Sequence, residues 1–194
     1  GKGILTRNAL DAITGRPATS RIKNAYSRLR LAQAGLIPFE PIPESTLIAS
    51  GRQKGIVGDY TALAAMDPQL ALLPFTDEGY AAANQLRVAW RLERIASSGP
   101  AGRAELTREA LAIVDAALRV ETTTDLLMQR ATLAQLVRND EMLIETALAF
   151  AQIVGQNSQS DLEARRAQVL IAALRDLPSS TIQERAMVAL NSNF

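Results

Sequence analysis

Thr122-Thr123-Thr124-Asp125-Leu126-Leu127-Met128-Gln129-Arg130-Ala131 is followed 36 residues later by Ser158-Gln159-Ser160-Asp161-Leu162-Glu163-Ala164-Arg165-Arg166-Ala167. Both stretches run from a polar break into the same signature, Asp-Leu-x-x-x-Arg-Ala. A matching segment lies upstream of each, Glu109-Ala110-Leu111-Ala112 and then Thr146-Ala147-Leu148-Ala149, offset by 37. A period in the mid-thirties with two helices per period marks a helical solenoid, in which each hairpin leaves an apolar face for its neighbour to cover. This reading predicts an all-α fold of antiparallel hairpins that presents a surface to a partner.

Working outward, helices are expected at 78–97, 104–119, 125–138, 141–154, 161–175 and 180–190. Their separators are Ser97-Ser98-Gly99-Pro100, Thr122–Thr124, Asn139-Asp140, Gly155–Ser160 and Pro178-Ser179. Ser160-x-x-Glu163 and Ser180-x-x-Gln183 have the spacing of capping boxes, where paired side chains satisfy the first free amides of a helix. Short links set neighbouring helices antiparallel. In 125–138 the apolar residues go most of the way round the helix, and the same holds for 161–175. Such helices must be covered on nearly all sides, as the first helix of a stacked hairpin is. Trp90 falls mid-helix and reads as a core residue.

Upstream, a helix at about 54–66 carries Ile56, Tyr60, Leu63 and Ala64. Asp67-Pro68 breaks it, and a short apolar turn at Leu70–Leu73 follows. Residues 44–53 read as loop or a weak turn. Before them, Ile37-Pro38-Phe39-Glu40-Pro41-Ile42-Pro43 is too rich in proline for helix or inner strand and is expected to be extended. The earliest residues form two helices, at 4–14 and 19–34, separated at Gly15-Arg16-Pro17. In the second, Ile22, Ala25, Tyr26, Leu29 and Ala32 share one stripe with basic shoulders. The organisation expected is a basic helical arm at 1–36, a proline-rich linker at 37–53 and a helical repeat domain at 54–194.

The chain has 194 residues, enough to bury about 70% of its unfolded surface without a metal or disulfide. Apolar residues are 47% and aromatics 4%, so Leu, Ala, Ile and Val build the core. There is no cysteine and no histidine. Their absence removes disulfides, thiol catalysis, thiolate metal sites, and the commonest general base and metal ligand. No metal or cofactor is expected. Neither a signal peptide nor an apolar run of bilayer-spanning length is visible, so the compartment, cytoplasmic or periplasmic, stays open. A chain beginning at Gly1 rather than Met reads as a piece of a longer protein, which leaves membrane contact through the full-length protein open as well.

The net charge of +1 is uneven: residues 1–37 hold seven basic groups against Asp11, a balance of +6, and the remainder carries −5. The candidate binding cations are Arg21, Lys23, Arg28 and Arg30 on the arm, and Arg130, Arg165 and Arg166 on the repeats. Arg165 and Arg166 follow Asp161 and Glu163 at helical spacing, so they serve either as local ion pairs or as contacts for an acidic partner. The arm's cations either solvate a face or meet phosphates or an anionic membrane surface. Glu141 and Glu145 stand one turn apart. At the start of a helix they favour the dipole rather than forming an acid–base pair. Gly1-Lys2-Gly3 and Gly51-Arg52-Gln53-Lys54-Gly55-Ile56-Val57-Gly58 lack the spacing of a phosphate-binding loop and read as flexible linker.

The region 79–194 resembles the tetratricopeptide repeat family, with repeats near 79–121, 125–160 and 161–194. The first helix of each carries a small residue where two helices approach, namely Ala89, Ala131 and Ala167. The resemblance implies a peptide or protein partner held in a concave groove lined by the first helices. The function expected is thus a non-catalytic scaffold or adaptor, or the soluble module of a larger bacterial assembly. Homo-oligomerisation through the arm or the last repeat is a further expectation. Nucleic-acid binding through residues 2–30, and a role as accessory domain of a membrane enzyme, are the alternatives.

Overall fold

The computed structural model describes residues 46–73, 79–156 and 160–193, and among them every regular element is a helix. The expected helices at 4–14 and 19–34 and the proline-rich stretch at 37–43 lie outside the described residues. Three short helices come first: α1 (Thr46–Ile56), α2 (Tyr60–Ala65) and α3 (Asp67–Ala71). Three hairpins follow, formed by α4 (Tyr80–Ser97) with α5 (Pro100–Leu118), α6 (Thr124–Leu136) with α7 (Asp140–Gln156), and α8 (Asp161–Arg175) with α9 (Thr181–Asn191).

The helix starts have local causes. Thr123 Oγ1 accepts from the Leu126 amide at 3.2 Å and Asn139 Oδ1 from the Met142 amide at 3.0 Å, opening α6 and α7. Ser160 with Glu163, and Ser180 with Gln183, form the two capping boxes that their spacing predicts. Between α6 and α7 the chain turns through Arg138, whose φ of 54° is left-handed. That turn lets the Asn139 amide return to the Ala134 carbonyl at 2.9 Å, closing the helix end. Replacing Ser160 with alanine removes a hydroxyl that satisfies an otherwise free amide. A loss of about 1 kcal/mol is expected, read as a lower urea midpoint at unchanged m-value, and Ser160→Asp should retain most of the stability. An unchanged midpoint in Ser160→Ala would show that the box contributes nothing.

The N-terminal elements differ from expectation. Residues 46–53, expected to be loop, are most of α1, and Gly51 is why the helix fits there. A Cβ at Gly51 would stand 2.6 Å from Leu86 Cδ1 on α4, so the missing side chain allows α1 to lie close. The stretch Gly51–Gly58 is therefore helix and turn rather than flexible linker. The single helix expected at 54–66 is divided at Gly58, whose φ is 72°, and Asp59 caps α2 by accepting from the Ala62 amide at 3.0 Å. Asp67-Pro68 does not simply break the chain; it starts α3, with proline in the first turn where its missing N–H costs nothing. Pro100 begins α5 in the same way, so the link from α4 is only Ser98-Gly99.

Three apolar clusters run along the molecule. The first packs Ile48, Leu63 and Leu70 of α1–α3 on Ala83 and Leu86 of α4. The second joins α4, α5 and α6 through Val88, Ile95, Val114, Leu126 and Leu133. The third joins α6 to α9 around Phe150, with Leu127, Leu143, Leu170, Leu174 and Leu190. Thus α4 and α6 each belong to two clusters, and α6 has Leu126 and Leu133 on one side and Leu127, Ala131 and Ala134 on the other. Its all-round apolar character is answered by cover from both directions. Among the described residues, neither α4 nor α5 packs against α8 or α9.

The same expectation for α8 is not met. Leu162 and Val169 are more than half exposed, at 56% and 57%.

Candidate functional site

Each of the first helices of the hairpins carries an arginine that reaches into the preceding unit. On α4, Arg91 grips the Asp67 carboxylate of α3 with two nitrogens, Nη1 at 2.7 Å from Oδ1 and Nη2 at 3.2 Å from Oδ2. Its Nε donates to Glu109 Oε2 of α5 at 3.0 Å. The same Asp67 Oδ1 accepts from Arg87 Nε at 3.2 Å and Trp90 Nε1 at 3.0 Å. Trp90, expected in the core, therefore lies at its polar edge, with the Arg91 guanidinium 4.2 Å from its ring centroid.

Burial pushes the Asp67 carboxyl up, but hydrogen bonds from Arg91 and Trp90 and the charges of Arg91 and Arg87 outweigh it, and the net shift is below the usual carboxylate range. Burial likewise works against the Arg91 charge, and its bonds to Asp67 and Glu109 overcome that, holding the guanidinium protonated above its ordinary range. A carboxylate and a guanidinium so matched make a structural clasp.

On α6, Arg130 Nε donates to Asp115 Oδ1 of α5 at 3.0 Å, and Nη1 donates to Thr146 Oγ1 of α7 at 2.8 Å. Glu145 completes its surroundings at 3.5 Å. On α8, Arg166 Nη1 donates to Thr124 Oγ1 of α6 at 2.9 Å, and Nη2 pairs with Asp125. The two signatures are therefore linked across the hairpin boundary: the arginine of the second copy holds the aspartate of the first. Local pairing with Glu163 does not occur, because Glu163 is engaged in the capping box with Ser160. Arg165, by contrast, is exposed.

Leu162 and Val169 stand at i−4 and i+3 about Arg166, hence on one side of α8, and Arg166 shows that this side is turned toward α6. Their counterparts 36 residues earlier, Leu126 and Leu133, are wholly buried against α4 and α5. The same stripe is sealed in one hairpin and open in the next.

The candidate cations thus divide. Arg21, Lys23, Arg28 and Arg30 lie outside the described residues. Arg130 and Arg166 are half-buried in ion pairs between helices, and Arg165 is free to meet solvent. Sequence reasoning missed Asp67, Arg87 and Arg91: Asp67 is 20 or more residues from each of the side chains that bond it, which leaves no local spacing to detect. Glu141 and Glu145 do not form a pair: Glu145 turns to Arg130 and Glu141 is exposed in the first turn of α7. Among the described residues no group of three or more acidic side chains is placed to hold a metal ion. No helix among them is long and apolar enough to cross a membrane. Set against protein-family models, curated protein sequences and solved structures, the chain matches none of them.

Proposed function

We propose that this chain is a non-catalytic scaffold, a short tetratricopeptide-like stack of helical hairpins that holds a partner protein or peptide along its first helices. The observation that supports this reading best is the open stripe Leu162–Val169 on α8. A stripe that is buried in one hairpin and uncovered in the next is a surface with the chemistry of an interior. It lies on α8, on the side that Arg166 ties to α6, and the tetratricopeptide resemblance implies a groove along the first helices. Among the described residues the packing follows sequential order, with no substantial packing of the last hairpin on the first, which agrees with a stack rather than a closed bundle.

Covering the exposed halves of Leu162 and Val169 is worth about 2 kcal/mol, or roughly thirtyfold in affinity. The test compares wild-type chain with Leu162→Glu/Val169→Glu in affinity capture followed by cross-linking, with circular dichroism as the check on folding. Partners captured by the wild type, cross-linked to α6 or α8 and lost at least tenfold in the variant, are the expected result. Sedimentation run alongside shows whether a second copy of the chain is the occupant. Identical capture by both proteins would sink the reading.

A further inference from the structure

The second helices carry a different surface. While α7 packs along α9, no comparable packing joins α5 to α7. Where α5 stands clear, an open groove of about 530 Å³ runs along its N-terminal half and onto the end of α6. Arg103, Ala104, Thr107, Arg108 and Leu111 recur at three- and four-residue spacing and form one face of α5. From Pro100 to Leu111 that face extends about 16 Å, the length of three helical turns. Its floor is apolar and continues onto Leu136, the last residue of α6, and Val137 just after it, which are 46% and 43% exposed.

The charge of this groove is one-sided. Its ionisable lining residues are Arg103 and Arg108, and no acid lines it. The carboxylates of α5 are directed elsewhere: Glu109 to Arg91 at 3.0 Å and Asp115 to Arg130 at 3.0 Å. Glu105 stands 3.9 Å from Arg108 on the exposed surface, a contact too solvated to hold that cation in place. Arg103 forms no ion pair among the described residues.

We propose that this groove receives an acidic amphipathic helix of a partner protein. Its apolar side chains lie on Leu111, Leu136 and Val137, and its carboxylates meet Arg103 and Arg108. Helix-in-groove recognition needs an apolar floor of a few turns' length with matched charges at the rim, and both are present. The surface is separate from the Leu162–Val169 stripe, although the proposal rests on the reading that the chain works by holding proteins.

The test is a selection of random displayed peptides on the immobilised full chain, followed by fluorescence anisotropy with the enriched peptides. Enriched sequences should place Leu, Ile or Phe at i, i+3 or i+4 and carry more Asp and Glu than Lys and Arg. Arg103→Glu/Arg108→Glu should weaken them at least tenfold and Leu136→Glu likewise, whereas Leu162→Glu/Val169→Glu should leave them unchanged. A peptide with its acids exchanged for lysine should bind the charge-reversed chain better than the wild type. Peptides that are not acidic, or that respond to the α8 substitutions instead of the α5 ones, overturn the groove while leaving the scaffold reading intact. Failure to enrich any saturable peptide overturns the groove as well, and the capture experiment above then decides the scaffold reading separately.

Discussion

Phe150→Ala is expected to lower the unfolding free energy by about 4 kcal/mol, the usual loss when a fully buried aromatic ring is cut back to a methyl group. The ring is wholly buried on α7 at the centre of the cluster that joins α6 to α9. What matters beyond the magnitude is where the loss falls. Units that contact only their neighbours lose stability locally. Amide exchange should therefore accelerate in α7, α8 and α9 far more than in α1, α2 and α3, which pack on α4 alone. Measured by native-state hydrogen exchange, a uniform loss along the chain would instead show that the helices form one closed cooperative bundle.

Asp67→Ala should cost about 3 kcal/mol, the range observed when one partner of a buried ion pair is removed. The Arg91 and Asp67 side chains are only 8% and 16% exposed, so solvent does little to replace the missing carboxylate. Arg87 and the Trp90 N–H lose their acceptor at the same time. The double variant Asp67→Ala/Arg91→Met should recover part of the loss, and a thermodynamic cycle measures the coupling.

Acid unfolding supplies a second readout. The Asp67 pKa is depressed in the folded state, so its contribution is present above the unfolded value of 3.8 and lost as pH falls through the lower folded one. Wild-type stability should thus fall below about pH 4 with a component that Asp67→Asn lacks. The raised Arg91 pKa gives the opposite sign: its contribution holds below the ordinary guanidinium range and is lost only as pH rises through the higher folded value. Parallel pH profiles for wild type and Asp67→Asn would remove the clasp from the account of stability.

Much of the helical order was legible because it is written locally. Capping at Ser160 and Ser180 depends on residues three apart, and the period of 36 residues marks the hairpins. What escaped depends on distant neighbours. α1 contains Gly51 and Gly55, which lower helix propensity, and only the close approach of α4 explains why the helix forms through Gly51. Pro68 and Pro100 were read as breaks although proline equally opens a helix, and the two uses look alike until the following turn is seen. The ion-paired network of Asp67, Arg87, Arg91 and Glu109 joins three helices and has no short motif. For the same reason spacing offers Arg166 only Glu163 as a local partner, whereas its partner in space is Asp125. The open stripe on α8 was concealed by its own similarity to α6: equal sequence does not ensure equal cover.

The link from Arg166 back to Asp125 also makes the junction between α6 and α8 directional. Its donor side, on α8, carries a guanidinium, and its acceptor side, on α6, carries a carboxylate. A charged pair of this kind fixes which faces of two helices meet, a constraint that uniform oily packing could not impose.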